Sequence, residues 1–167
     1  MKALLTLDGS PTSESILPTA QRLLDLVPTL ELHILRVLDP KDAQGTRARP
    51  IDNPQGRALG SITVPNPQPP LVESHGDAEA RMSQETVSSL EALTRGWFAG
   101  CEPTFHVEWS REPARAICEY AERIKADVIV MATHGRSGLS HVVAGSVAEA
   151  VIRSSGRPVL IQCPGRD

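Results

Sequence analysis

Aromatic residues make up only 3% of this 167-residue chain. Single-stranded nucleic acid is held by stacking bases on aromatic platforms, and this chain has little to stack on. Excess positive charge is missing too. Lys and Arg number 17 against 20 Asp and Glu, a formal net charge of −3. Without a basic cluster to neutralise a phosphate backbone, the composition speaks against a nucleic-acid partner. No apolar run approaches the roughly 20 residues of a membrane helix. The apolar part of the opening MKALLTLDGS is too short for a signal peptide. The expectation is a cytoplasmic protein with no membrane contact. Cysteine is confined to Cys101, Cys118 and Cys163. An odd number at wide spacing fits neither a disulfide framework nor a zinc site, so these read as free thiols.

Several catalytic signatures are also absent. There is no Gly-x4-Gly-Lys-Ser/Thr loop, no Gly-x-Gly-x2-Gly fingerprint and no Gly-x-Ser-x-Gly elbow. No Ser, Cys or acid is visibly paired with a base, which leaves nucleophilic catalysis without a candidate. His33, His75, His106 and His141 show no metal-ligand spacing and read as structural or solvated.

What remains is a regular alternation. Hydrophobic residues at 40% suffice for one core. Lys2 to Leu7 is a short apolar run, and Leu30 to Leu38 reads as a second strand. Between them Ile16, Leu17, Ala20, Leu23, Leu24 and Val27 recur with helical period, although Pro18 leaves the start of that helix open. From Asp77 to Phe98 another stripe runs through Met82, Leu90 and Trp97, a core face by its spacing. Thr104 to Trp109 alternates Phe105, Val107 and Trp109 against His106 and Glu108, the pattern of a half-exposed peripheral strand. Pro113 opens a further helix. Val128 to Ala132 is continuously apolar, as in a strand buried on both faces. Ser146 to Ser154 is helical, and Pro158 to Gln162 is a last strand. Strands that alternate with helices predict an α/β domain: a parallel sheet with helices on both faces. The segment 39–74 departs from this order. It holds seven of the fourteen prolines and reads as a long loop insertion, with a short extended piece near Ser61 to Val64.

Ligand sites in such sheets lie beyond the carboxyl ends of the strands. Two segments stand there. Asp8, in Leu7-Asp8-Gly9-Ser10, is suited to a ribose or a metal, and equally to capping the first helix with Ser10 or Ser13. The second segment runs from Ala132 through His134, Gly135 and Arg136 to Gly145, Ser146 and Val147. Gly135 lets backbone N–H groups approach a ligand. Gly145 and Ser146 open a helix whose N-terminus favours an anion. Arg136 adds positive charge, and His134 suits either a phosphate or a backbone partner. The competing reading makes Ser146 and Glu149 a capping box that satisfies the helix start without a ligand.

These residues resemble the universal stress protein family. The likeness spans most of the chain and is strongest in LLTLDGS and in ADVIVMATHGRSGLSHVVAGSVAEAVIRSSGRPVLI, from Ala126 to Ile161. The family pattern Gly-x2-Gly-x9-Gly-Ser/Thr is matched at Gly135, Gly145 and Ser146, with Ala132 in place of the first glycine. The Pro-rich insertion departs from the family, as does Ser110-Arg111-Glu112-Pro113, where a glycine often precedes the acid and proline. The resemblance implies a single Rossmann-like domain over residues 1–167, its five-stranded parallel sheet in the order 3-2-1-4-5. It further implies adenine-nucleotide binding, ATP with Mg²⁺. Asp8 would reach the ribose or a phosphate-bound metal, and Val37 would line the adenine pocket. Met131 and Ala132 would flank adenine and ribose. Gly135, Arg136, Gly145, Ser146 and Val147 would hold the phosphates. Homodimers would pair through the last strand, at Val159, Leu160 and Ile161. Hydrolysis of ATP would be slow at most, since no general base is evident. The alternative is an interaction module of the same fold that binds no nucleotide.

Overall fold

The computed structural model describes residues 1–43, 73–133 and 145–163. The expected extended piece near Ser61 to Val64, most of the Pro-rich segment, and His134, Gly135 and Arg136 lie outside these described residues.

Five parallel strands form one sheet in the order β3-β2-β1-β4-β5. They are β1 (Lys2–Thr6), β2 (Glu31–Leu38), β3 (Thr104–Trp109), β4 (Val128–Ala132) and β5 (Val159–Gln162). The chain leaves β1 towards β2 and β3, then crosses back to β4 on the other side of β1. The central strands are apolar because helices cover both faces. Residues of β1 and β4 alternate between two clusters. Ala3, Leu5 and Val130 join Ile16, Ala20 and Leu90 on one face. Leu4, Ile129 and Met131 join Ile117, Tyr120 and Val151 on the other.

The helices follow from local chemistry. The expected helix between β1 and β2 is two helices, α1 (Pro11–Glu14) and α2 (Leu17–Leu26). Pro18 explains the break. Its ring collides with the carbonyl four residues earlier, that of Glu14, and it has no N–H to donate there. In the first turn of α2 neither matters. The next helix, α3 (His75–Thr94), begins two residues before the expected Asp77, because Ser74 and Asp77 form a reciprocal capping box. It also ends short of Phe98; Gly96, at φ +88°, turns the chain out of the helix.

The remaining helices are α4 (Pro113–Arg123) and α5 (Ser146–Ser154). On the edge strand β3, Phe105 packs into the first cluster. The opposite, more polar side of β3 lies against α4, with the His106 ring 4.8 Å from that of Tyr120. Among the described residues no helix is long and apolar enough to cross a membrane.

Candidate functional site

The switch in strand order between β1 and β4 leaves a crevice at their carboxyl ends. A cavity of about 600 Å³ occupies it. Its two sides differ in chemistry. Leu35, Val37, Met131, Pro113 and Ile117 form an apolar wall from β2, β4 and α4. Asp8, Ser13, Thr133, Gly145 and Ser146 line it from the end of β1, the helix that follows it, the end of β4 and the start of α5.

The β1 side is held by a chain of local hydrogen bonds. Asp8 Oδ1 accepts the Ser10 N–H at 2.8 Å. Ser10 in turn caps α1, its Oγ accepting the Ser13 N–H at 3.1 Å. Of the capping roles weighed for this turn, Ser10 holds the cap and Asp8 shapes the approach to it. Gly9 turns the chain at φ +82°, and its missing side chain matters. A Cβ there would stand 2.7 Å from the Arg36 guanidinium.

At the other side the helix starts on a glycine. Gly145 is the N-cap of α5, and among the described residues no side-chain cap hydrogen bond holds the first turn. Ser146 is therefore the first helical residue and cannot head a capping box with Glu149. The box needs its hydroxyl one position earlier. Glu149 pairs instead with Arg153, one turn on. The first N–H groups of α5, which lack intrahelical partners by geometry, stand beside the cavity with the positive end of the helix dipole. Gly145 itself donates to the Thr133 hydroxyl at 2.5 Å.

Ala132, in place of a glycine in the motif, both lines the cavity and packs against the first core cluster. The preceding Met131 turns to the second cluster. The strand alternation thus sends the Ala132 methyl toward the α1–α2 side.

Of the ten residues singled out from sequence, seven line this one cavity: Asp8, Val37, Met131, Ala132, Gly145, Ser146 and Val147. The other three, His134, Gly135 and Arg136, lie outside the described residues. The sequence reading missed the α4 wall of Pro113 and Ile117, although Pro113 was legible as a helix start. It also missed Thr133, whose partner is twelve residues away; no periodicity reports such a contact. Among the described residues no group of three or more metal-ligating side chains is present.

A model of the universal stress protein family matches residues 1–162. The universal stress protein MJ0531 of Methanocaldococcus jannaschii is 53% identical over 79 residues, 47% of this chain and 44% of that protein. This chain thus matches less than half the length of that relative. The stress response protein NhaX of Bacillus subtilis is 28% identical over 169 residues, covering 96% of each chain. The solved structure of another Methanocaldococcus jannaschii protein, MJ0577, superposes with a TM-score of 0.68 at 21% identity over 99% of this chain and 97% of that one. A universal stress protein from Archaeoglobus fulgidus in complex with dAMP superposes at 0.55, with 22% identity over 96% of each chain. Identities this low carry the fold alone, but the family model spans every strand and helix described above. The chain belongs to the universal stress protein family.

Proposed function

We propose that the cavity binds an adenine nucleotide, ATP with Mg²⁺, and that binding switches a homodimeric stress-response protein between states. The observation that carries this reading is the division of the cavity. An apolar wall of Leu35, Val37, Met131, Pro113 and Ile117 shares the cavity with a helix N-terminus whose N-cap, Gly145, has no side chain. A nucleotide has the same division, with a flat, largely apolar base at one end and anionic phosphates at the other. The base would lie between Val37 and the α4 wall. The phosphates would take the N–H groups opening α5 and the Ser146 hydroxyl. Asp8 faces the ribose or the phosphate-bound cation in this arrangement, and the phosphates supply most of the ligands of the Mg²⁺ ion. A relative in complex with dAMP and another in complex with cAMP support an adenine nucleotide as the class of ligand.

The dimer would form along β5. This strand ends the sheet, and Leu160 is 39% exposed on it. An apolar edge of this kind invites pairing. A cytoplasmic setting suits the three cysteines, all free.

Calorimetric titration of nucleotide-stripped protein with ATP and Mg²⁺ tests the ligand. Micromolar binding at one site per chain is the expected result. Absence of binding up to millimolar ATP transfers the fold to the interaction-module reading. Sedimentation of the same preparation is expected to show a dimer; a monomer at every concentration rejects pairing through β5.

A further inference from the structure

Thr133 follows β4 directly and is 3% exposed. Its backbone N–H donates to the Gln162 carbonyl at 3.0 Å, which ties it to the end of β5. Its side-chain oxygen accepts the Gly145 N–H at 2.5 Å. A threonine hydroxyl also carries a proton of its own to donate. Among the described residues nothing accepts it. Thr133 is also one of the residues that line the cavity, with Ala132, Gly145 and Ser146. Buried donors are almost always satisfied, so an acceptor that enters the cavity has a place prepared for it.

We infer that the Thr133 hydroxyl is a relay donor: it accepts the Gly145 N–H and hydrogen-bonds through its own proton to a phosphoryl oxygen of the bound nucleotide. The inference rests on the nucleotide reading above and adds a contact that the glycine pattern of the sequence does not assign. Two features favour a phosphoryl oxygen over another acceptor. Accepting the Gly145 N–H polarises the hydroxyl and strengthens it as a donor. The acceptor position also lies at the N-terminus of α5, where the helix dipole favours negative charge. Through this one residue, the end of β4, the end of β5 and the start of α5 all bear on the same phosphate.

The test compares the wild type with Thr133→Val and Thr133→Ser by calorimetric titration against ATP and against adenosine. Valine keeps the shape and removes the hydroxyl. It is expected to lower ATP affinity about tenfold or more, the scale of one hydrogen bond to a charged acceptor. Adenosine, which has no phosphate, should bind the valine variant as it binds the wild type. Serine should restore ATP binding. If the valine variant does not fold, Thr133→Cys replaces it, since a thiol is a weaker donor; ATP affinity should then fall between serine and no binding. Wild-type ATP affinity in the valine variant, or an equal loss for ATP and adenosine, overturns the relay while the nucleotide reading stands. A wild type that binds neither ligand overturns that reading, and the relay with it.

Discussion

Replacing Gly145 and Ser146 together by aspartate lowers ATP affinity by at least about a hundredfold and leaves the protein folded. The two halves of this result have separate causes. Gly145 is the N-cap of α5 at φ −52° and ψ 154°, backbone angles open to any L-residue. Aspartate is among the preferred N-cap residues. At the following position its charge lies favourably against the helix dipole. The variant helix therefore starts at least as well as the natural one. For a phosphate the same two carboxylates are prohibitive. A pair of like charges about 5 Å apart in a medium of effective dielectric about 20 repels by about 3 kcal/mol. Each 1.4 kcal/mol is a factor of about ten in affinity, so a hundredfold loss is a low expectation for two carboxylates facing several phosphoryl charges. Thermal denaturation and calorimetric titration on one preparation check both halves. Unchanged affinity in a folded variant places the phosphates away from α5.

The sheet was legible in the sequence because its signals are short-range and redundant. Val128 to Ala132 is apolar at every position, and only a strand covered on both faces can afford that. Element ends were less legible where one residue decides them. Pro18 divides a continuous helical stripe into α1 and α2, a matter of one ring against one carbonyl. The capping box that the competing reading put at Ser146 and Glu149 is absent, whereas one stands at Ser74 and Asp77. Both pairs have the same spacing. Only the backbone shows that Ser74 precedes its helix and Ser146 is already inside it. In the candidate site, the residues after β1 and β4 were legible because strand ends and glycines mark them. The apolar wall was not, since Pro113 and Ile117 reach the cavity only through the packing of α4 across the sheet. The histidines show the same limit. His33 and His106 stand 73 residues apart in sequence, and no local pattern pairs them.

That histidine pair makes the protein lose stability as pH falls below about 6.5, and most of the loss disappears in His106→Gln. The Nδ1 of His33 and the Nε2 of His106 are 3.3 Å apart. The ring planes differ by 22° and the centroids by 5.5 Å. The centroid separation exceeds the nitrogen separation by nearly two ring radii, so the rings meet nitrogen to nitrogen. One shared proton makes that contact an N–H···N hydrogen bond; a second proton sets two N–H groups against each other. The surroundings oppose protonation. Burial pushes both imidazoles below their ordinary value, with Lys2 adding to it at His33. At His106 the partner imidazole and Arg123 add to it. Glu31 and Glu108 pull the other way, more weakly. Glu108 is itself engaged by Arg123, whose guanidinium lies 4.5 Å from the centre of the Tyr120 ring. With both folded values depressed, the unfolded chain binds more protons. Stability is then full above the ordinary value of 6.5 and drains as pH falls through it towards the folded values. Two positive rings 5.5 Å apart at an effective dielectric of about 20 repel by about 3 kcal/mol, less the solvent screening at this half-exposed edge. For a chain of this size that is a fall in Tm of up to roughly 10 °C. Thermal denaturation between pH 8 and pH 5 reads it directly. In His106→Gln one titrating partner is gone while an amide remains to bond His33, so the fall should be less than half that of the wild type. Parallel curves for the two proteins would assign the acid sensitivity to other groups. The contact joins β2 to the edge strand β3 under α4. Below its titration range, that edge of the sheet is therefore where the fold is expected to loosen first.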